Sequence, residues 1–177
     1  MATPTLYRRI SLALVTLFVA FSVALSTPVY AVEDGTKYKD WTVRCEQYKR
    51  KQGDDFEQCH IFQDWKHKEQ KLRILHIAVA YPPKNGGRAV AVLTMPLGIF
   101  LPAGVKFKID EGELRNLQIE RCEPVGCKAG FPVDAGVLKD LKKGLKAFVT
   151  FQDMRRKPVT VPVSLRGFTA GLNSLKK

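Results

Sequence analysis

The sequence predicts an all-β sandwich carrying two short helices, placed after a cleaved N-terminal signal peptide. Three observations carry this expectation. Apolar residues recur at every second position through most of the chain from Tyr38 to Leu165, the pattern of half-buried strands. Clusters of Gly, Pro, Asn and Asp punctuate those runs at short intervals, which suits about eight strands in two sheets. The first 31 residues differ in kind from the rest: Arg8-Arg9, an apolar stretch from Ile10 to Leu25, then Pro28 and a small residue at Ala31.

That leader has the basic, hydrophobic and small-residue regions of a secretory signal. Its apolar stretch is shorter than the roughly 20 residues a membrane span needs. Cleavage after Ala31 leaves Val32–Lys177, read as a single β-sandwich domain with enough residues for a real core. An exported chain meets an oxidising compartment, so its thiols are expected to pair.

The full chain carries a net charge of +12. The leader holds two arginines and no acid, so +10 stays with the mature segment. Lysines and arginines come in clusters, notably Lys139 with Lys142, Lys143 and Lys146, and Arg155-Arg156-Lys157. Such a chain is drawn to anionic surfaces. For an exported protein these are lipid head groups, lipopolysaccharide phosphates, acidic glycans or an acidic protein. No nucleic-acid motif is present, and no nucleic-acid partner is expected. Taken singly, each cluster is also what a solvated turn looks like.

Trp41, Val43 and Cys45 share one strand face, and Thr42 and Arg44 the other. Leu72–Tyr81 and Ala89–Met95 are apolar on both faces and read as central strands. Pro82-Pro83-Lys84-Asn85-Gly86-Gly87 between them signals an antiparallel hairpin. Val105, Phe107 and Ile109 alternate with lysines before the turn at Asp110-Glu111-Gly112. Leu117 and Ile119 form a short inward face running into Cys122. Ala147–Phe151 is a further strand. The last alternation, Val159 to Leu165, contains Pro162, which cannot donate to a ladder, so this strand belongs at an edge or carries a bulge.

Val133, Val137, Leu138, Leu141 and Leu145 lie near helical spacing, with Asp134 as N-cap and Gly144 as stop. Phe168, Leu172 and Leu175 repeat that spacing after Gly167. Both stripes read as faces packed on a sheet. Residues Val32–Tyr38 show no pattern and read as unstructured.

Four cysteines allow three connectivities. The expected pairs are Cys45–Cys59, closed by a polar loop between two strand patterns, and Cys122–Cys127, flanking the turn residues Pro124 and Gly126. A closed loop of about 15 residues stabilises by roughly 3 kcal/mol in the chain-entropy model. Zinc sites use paired spacings of two to four residues, twice over. The spacing here fits neither that nor a C-x-x-C redox motif. No metal site and no cofactor are expected.

Catalytic signatures are missing. His60, His67 and His76 are scattered, and His76 sits in an apolar strand where a hydrogen-bonded structural role is the plainer reading. There is no nucleophile elbow, no paired-histidine zinc motif and no phosphate-binding glycine loop. The expectation is a protein that is not an enzyme.

Five landmarks in order resemble the invasion-associated locus B family of exported bacterial proteins. They are Asp40-Trp41-Thr42-Val43-Arg44-Cys45; Gln58-Cys59 with Ile61-Phe62-Gln63; Met95-Pro96-Leu97-Gly98-Ile99-Phe100-Leu101-Pro102-Ala103-Gly104-Val105, with Ile109-Asp110 after it; Cys122 with Gly126-Cys127; and Val163-Ser164-Leu165-Arg166-Gly167-Phe168. The resemblance implies an immunoglobulin-like β-sandwich in the periplasm or associated with the outer membrane, and a role in host-cell invasion for some members. It supplies no catalytic residues.

Within the third landmark, Pro96 and Pro102 limit ladder bonding. Leu97, Ile99, Phe100 and Leu101 are closely spaced apolar residues. They fit a crossover that plugs one end of the sandwich, or a partly exposed patch for a partner. The functional expectation is an exported envelope protein that binds an anionic surface or a protein partner. The rivals are a periplasmic chaperone or assembly factor, marked by an exposed apolar groove near Leu97–Leu101, and an envelope redox protein or enzyme.

Overall fold

Alternating strands with one apolar face must bury that face against another layer. Here they do so as two antiparallel sheets. The structure, a computed structural model, describes residues 32–49, 53–69, 71–83 and 86–176. The leader, Lys84 and Asn85 of the expected hairpin loop, and Arg50, Lys51 and Lys177 lie outside the described residues.

Eleven strands are present among the described residues. They are β1 (Lys37–Tyr38), β2 (Trp41–Tyr48), β3 (Phe56–Lys66), β4 (Arg73–Ala80), β5 (Ala89–Met95), β6 (Val105–Ile109), β7 (Arg115–Leu117), β8 (Arg121–Glu123), β9 (Gly126–Val133), β10 (Lys146–Gln152) and β11 (Pro158–Ser164). Helix α1 spans Ala135–Lys143 and α2 spans Phe168–Ser174. One sheet runs in the order β1-β2-β3-β4-β5-β9-β8, the other β11-β10-β6-β7. This is the expected two-sheet β-sandwich with two short helices, with β4 and β5 central and antiparallel. The last alternation lies at a sheet edge, where Pro162 costs no ladder bond to a further strand.

The chain changes sheets at residues 96–104, at 118–120 and through α1. The core lies between the sheets. Trp41, Ile61, Leu75 and Leu93 from one sheet meet Phe107, Val149 and Val163 from the other, all essentially without solvent contact. Phe107 of β6 and Phe131 of β9 touch across the layers, ring centroids 4.9 Å apart. Helix α2 packs on β1, β2 and β3. Its Phe168 meets Trp41 edge-on at 5.2 Å, and the Trp41 indole N–H donates to the Ser164 carbonyl at 3.0 Å.

Three expectations need correction. Residues Val32–Tyr38 are structured: Gly35 N–H donates to Val43 O and Val43 N–H to Thr36 O, and β1 pairs with β2. Two residues of strand are too few to show a period. The helical stripe from Val133 to Leu145 is helical only in its middle. Val133 closes β9 and is buried, whereas Leu145 follows the helix and is 74% exposed. The caps at Asp134 and Gly144 are as expected, with the Asp134 carboxylate accepting from Val137 N–H at 2.8 Å. Finally, the face from Leu117 to Cys122 is not one strand. Residue 117 ends β7 in one sheet, and Cys122 sits in β8 of the other.

Candidate functional site

The cysteines are placed for architecture. Cys45 and Cys59 stand opposite each other in the β2–β3 ladder and are bridged. Cys122 and Cys127 are opposite in β8–β9 and also bridged. The second bridge closes a turn through Pro124 and Val125. Gly126 within it is in the left-handed region at φ 136°, and a Cβ there collides with the Met95 carbonyl.

The seven candidate cations are all exposed, but they do not form one patch. Lys139, Lys142 and Lys143 project from α1, whose Val137 and Leu141 face the core. Lys146 begins β10. Arg155, Arg156 and Lys157 lie in the turn after its other end. The intervening strand, paired from Lys146↔Ser164 to Gln152↔Pro158, separates the clusters by roughly 20 Å. Closeness in sequence is cancelled because an extended strand covers distance quickly.

The second cluster instead adjoins the apolar segment. Ile99 forms a bridge with Asp153, and Phe100 N–H donates to Gln152 O at 2.9 Å. The Arg156 guanidinium carbon lies 4.7 Å from the Phe100 ring centroid, a cation–π contact. Met154 covers Gly98. Residues 97–101 thus form a crossover between the sheets with some of its apolar side chains turned in and others left at the surface. Ile99 and Phe100 are half-buried, while Leu97 is 56% and Leu101 48% exposed. Met154, which sequence reasoning passed over, is 77% exposed. Its position between two basic residues and Asp153 in a turn was the available signal.

The turn is held rigidly. The Asp153 carboxylate accepts from Arg155 N–H and Lys157 N–H, both at 2.8 Å, and Arg156 N–H donates to Asp153 O at 2.9 Å. Arg156 occupies the left-handed region at φ 60°. Among the described residues no carboxylate forms an ion pair with these three cations.

A second concave surface lies on the outer face of the larger sheet. Ala78, Ala80, Val90 and Val92 floor a groove of about 360 Å³ bordered by Arg44, His60, His76 and Lys128. The apolar outer positions of β4 and β5 are thus not covered by another layer; small side chains keep them half-buried. His76 Nδ1 lies 3.0 Å from Asp64 Oδ1, which also pairs with Arg73 at 3.2 Å. His76 is thus hydrogen-bonded at the border of this groove. Burial lowers the His60 pKa, with Glu46 opposing and His76 and Arg44 reinforcing. At the far edge, hydrogen bonds from Lys128 and then Arg121 hold Glu123 at about 2.

Comparison with known proteins settles the relationship. The family model described as invasion associated locus B (IalB) protein matches residues 41–176. The chain belongs to the invasion associated locus B family. Two curated relatives, each an invasion protein B homolog of Brucella abortus (strain 2308 and biovar 1 strain 9-941), are 33% identical over 175 residues. The alignment covers 96% of this chain and 96% of each relative. The crystal structure of invasion associated protein B from Bartonella henselae superposes with a TM-score of 0.66 at 22% identity, covering 79% of this chain and 92% of that one. At that identity the likeness is one of fold. The family landmarks fall on the strand-paired cysteines, the crossover and the Trp41–Ser164–Phe168 junction.

Proposed function

We propose that this family member is exported to the bacterial envelope and acts there by binding, not catalysis, recognising an anionic component of the envelope or of a host surface. The observation that carries this reading is the β10–β11 turn. It presents three exposed cations with no carboxylate partner among the described residues, on a backbone fixed by Asp153. A preformed cationic turn loses little conformational freedom on binding. The family's association with invasion and the signal-like leader support an extracytoplasmic setting. No helix among the described residues is long and apolar enough to cross a membrane.

Two measurements test the reading. Intact mass of protein from the cell envelope is expected to correspond to a chain starting at Val32; an uncleaved chain in the inner membrane overturns export. Retention on immobilised lipopolysaccharide and on a sulfated polysaccharide is expected to fall as salt shortens the reach of each charge to about 8 Å at physiological ionic strength. It is also expected to fall in the variant R155E/R156E/K157E. Undiminished retention of that variant at low salt overturns recognition through this turn.

A further inference from the structure

Four connections converge on one end of the sandwich. The register places the C-terminus of β3, the N-terminus of β4, the C-terminus of β5 and the β8–β9 turn at the same end of the larger sheet. The bridge Ile99↔Asp153 brings the β10–β11 turn to it. Leu72, Leu97, Leu101, Val125 and Met154 are all exposed there. They sit at turns and strand ends, not on the sheet faces. Cations surround them: Arg155, Arg156 and Lys157 on one side, and Lys66, Lys68 and Lys71 of the β3–β4 turn on the other. The opposite end also has exposed apolar residues, Tyr48, Leu114 and Leu145, beside the α1 lysines, but these are three against five.

We propose that this end docks on an anionic phospholipid leaflet, with Leu97, Leu101 and Met154 entering the headgroup layer and the Arg155–Lys157 turn meeting lipid phosphates. The proposal rests on the anionic-surface reading above and names its partner. Charge complementarity is the first argument: the Arg155–Lys157 cluster, with no carboxylate ion pair among the described residues, is the feature that negative leaflets attract. The second is the mixture. A soluble acidic polymer needs the cations but leaves exposed Leu and Met side chains in water. A leaflet takes both, with apolar side chains below the phosphates and cations level with them. The third is shape. Apolar side chains raised on turns need a surface that yields around them, and a fluid bilayer does so without a preformed pocket.

The test is co-sedimentation of the purified, disulfide-intact protein with vesicles containing about 30% phosphatidylglycerol in phosphatidylcholine, against phosphatidylcholine alone. Binding is expected only to the anionic vesicles. R155E/R156E/K157E is expected to weaken it on the order of a hundredfold or more, and L97S/L101S/M154S about tenfold or more, with thermal midpoints near that of the parent. L145S and K139E/K142E/K143E, at the opposite end, serve as controls for nonspecific attraction and are expected to bind like the parent. The apolar variant is also expected to keep its retention on the sulfated polysaccharide.

If the parent is retained by the polysaccharide but ignores the vesicles, or if L97S/L101S/M154S binds them undiminished, the lipid assignment is overturned and the anionic reading stands. If the α1 variant loses as much as the β10–β11 variant, the location is overturned. If neither vesicles nor polysaccharide retain the parent, both readings fail. Self-association abolished by L97S/L101S/M154S assigns this end to a second copy and overturns the lipid proposal.

Discussion

Arg156 stands over Phe100, its guanidinium carbon 4.7 Å from the ring centroid. The contact joins a basic cluster to an apolar segment that lie more than fifty residues apart in sequence. It also explains why Phe100 is half-buried at a surface where Leu97 and Leu101 are not.

The turn that carries Arg156 depends on one carboxylate. Asp153→Ala removes the acceptor for Arg155 N–H and Lys157 N–H. A loss of about 1–2 kcal/mol is expected, read as a melting midpoint lowered by about 2–4 °C per kcal/mol. Asp153→Asn retains one acceptor oxygen and is expected to lose less. Anionic-surface binding is expected to weaken in Asp153→Ala even though its net charge is more positive, because the cations are no longer held together. A variant that melts like the parent contradicts the assigned role of this carboxylate.

The two disulfides close loops of different length, with sequence separations of 14 and 5. The chain-entropy model assigns about 3 kcal/mol to the longer and about 2 kcal/mol to the shorter. C45A/C59A is therefore expected to melt lower than C122A/C127A. Peptide mapping of protein purified without reductant is expected to show these two pairs and no crossed pairing.

Stability is expected to fall with pH in two windows. The folded pKa of His60 is lowered chiefly by burial. Its neutral form is the one the fold favours, so its contribution is whole above the unfolded value near 6.5 and is lost as pH falls below it. His60→Gln is expected to flatten that decline. The folded pKa of Glu123 is depressed to about 2, so its contribution is whole above the unfolded carboxylate range and is lost as pH falls from about 4.5 towards 2. Glu123→Gln is expected to remove the second decline. Denaturant midpoints measured across pH check both signs.

Phe168→Ala empties a position with no solvent contact against Trp41. A loss of about 3–5 kcal/mol is expected. Gly167→Ala is expected to be damaging for a different reason. The residue is at φ 87°, and a Cβ there collides with the Tyr38 carbonyl. A Gly167→Ala protein that melts like the parent contradicts the tight seating of the C-terminal segment on β1.

Where burial alternates, the strands were legible: Trp41/Val43, Val105/Phe107 and Val161/Val163 each point inward as their period requires. The caps at Asp134 and Gly144 were legible because capping is local chemistry. Three things were not. The order of strands depends on contacts far apart in sequence, which leave no period; Leu117 and Cys122 look like neighbours and belong to different sheets. Apolar residues on both faces mark β4 and β5 as central strands but do not say what covers Ala78, Ala80, Val90 and Val92; among the described residues only flanking side chains border that face. The site was half legible. Both of its parts stood out as composition, but their union across residues 99 and 153 is tertiary, and Met154 carries no signal except its place in a turn.

The junction of Trp41 with Ser164 and Phe168 ties the start of the domain to its end. Synthesis delivers residue 41 long before residue 168, so the largest core side chain lacks its Ser164 and Phe168 contacts while more than a hundred residues follow. Local hairpins such as β2–β3 can pair early, but the Trp41 junction is complete only once residues 164–168 are present. Closure of the sandwich is thereby tied to arrival of the Ser164–Phe168 segment, and a protein truncated before Phe168 lacks the ring that packs on Trp41.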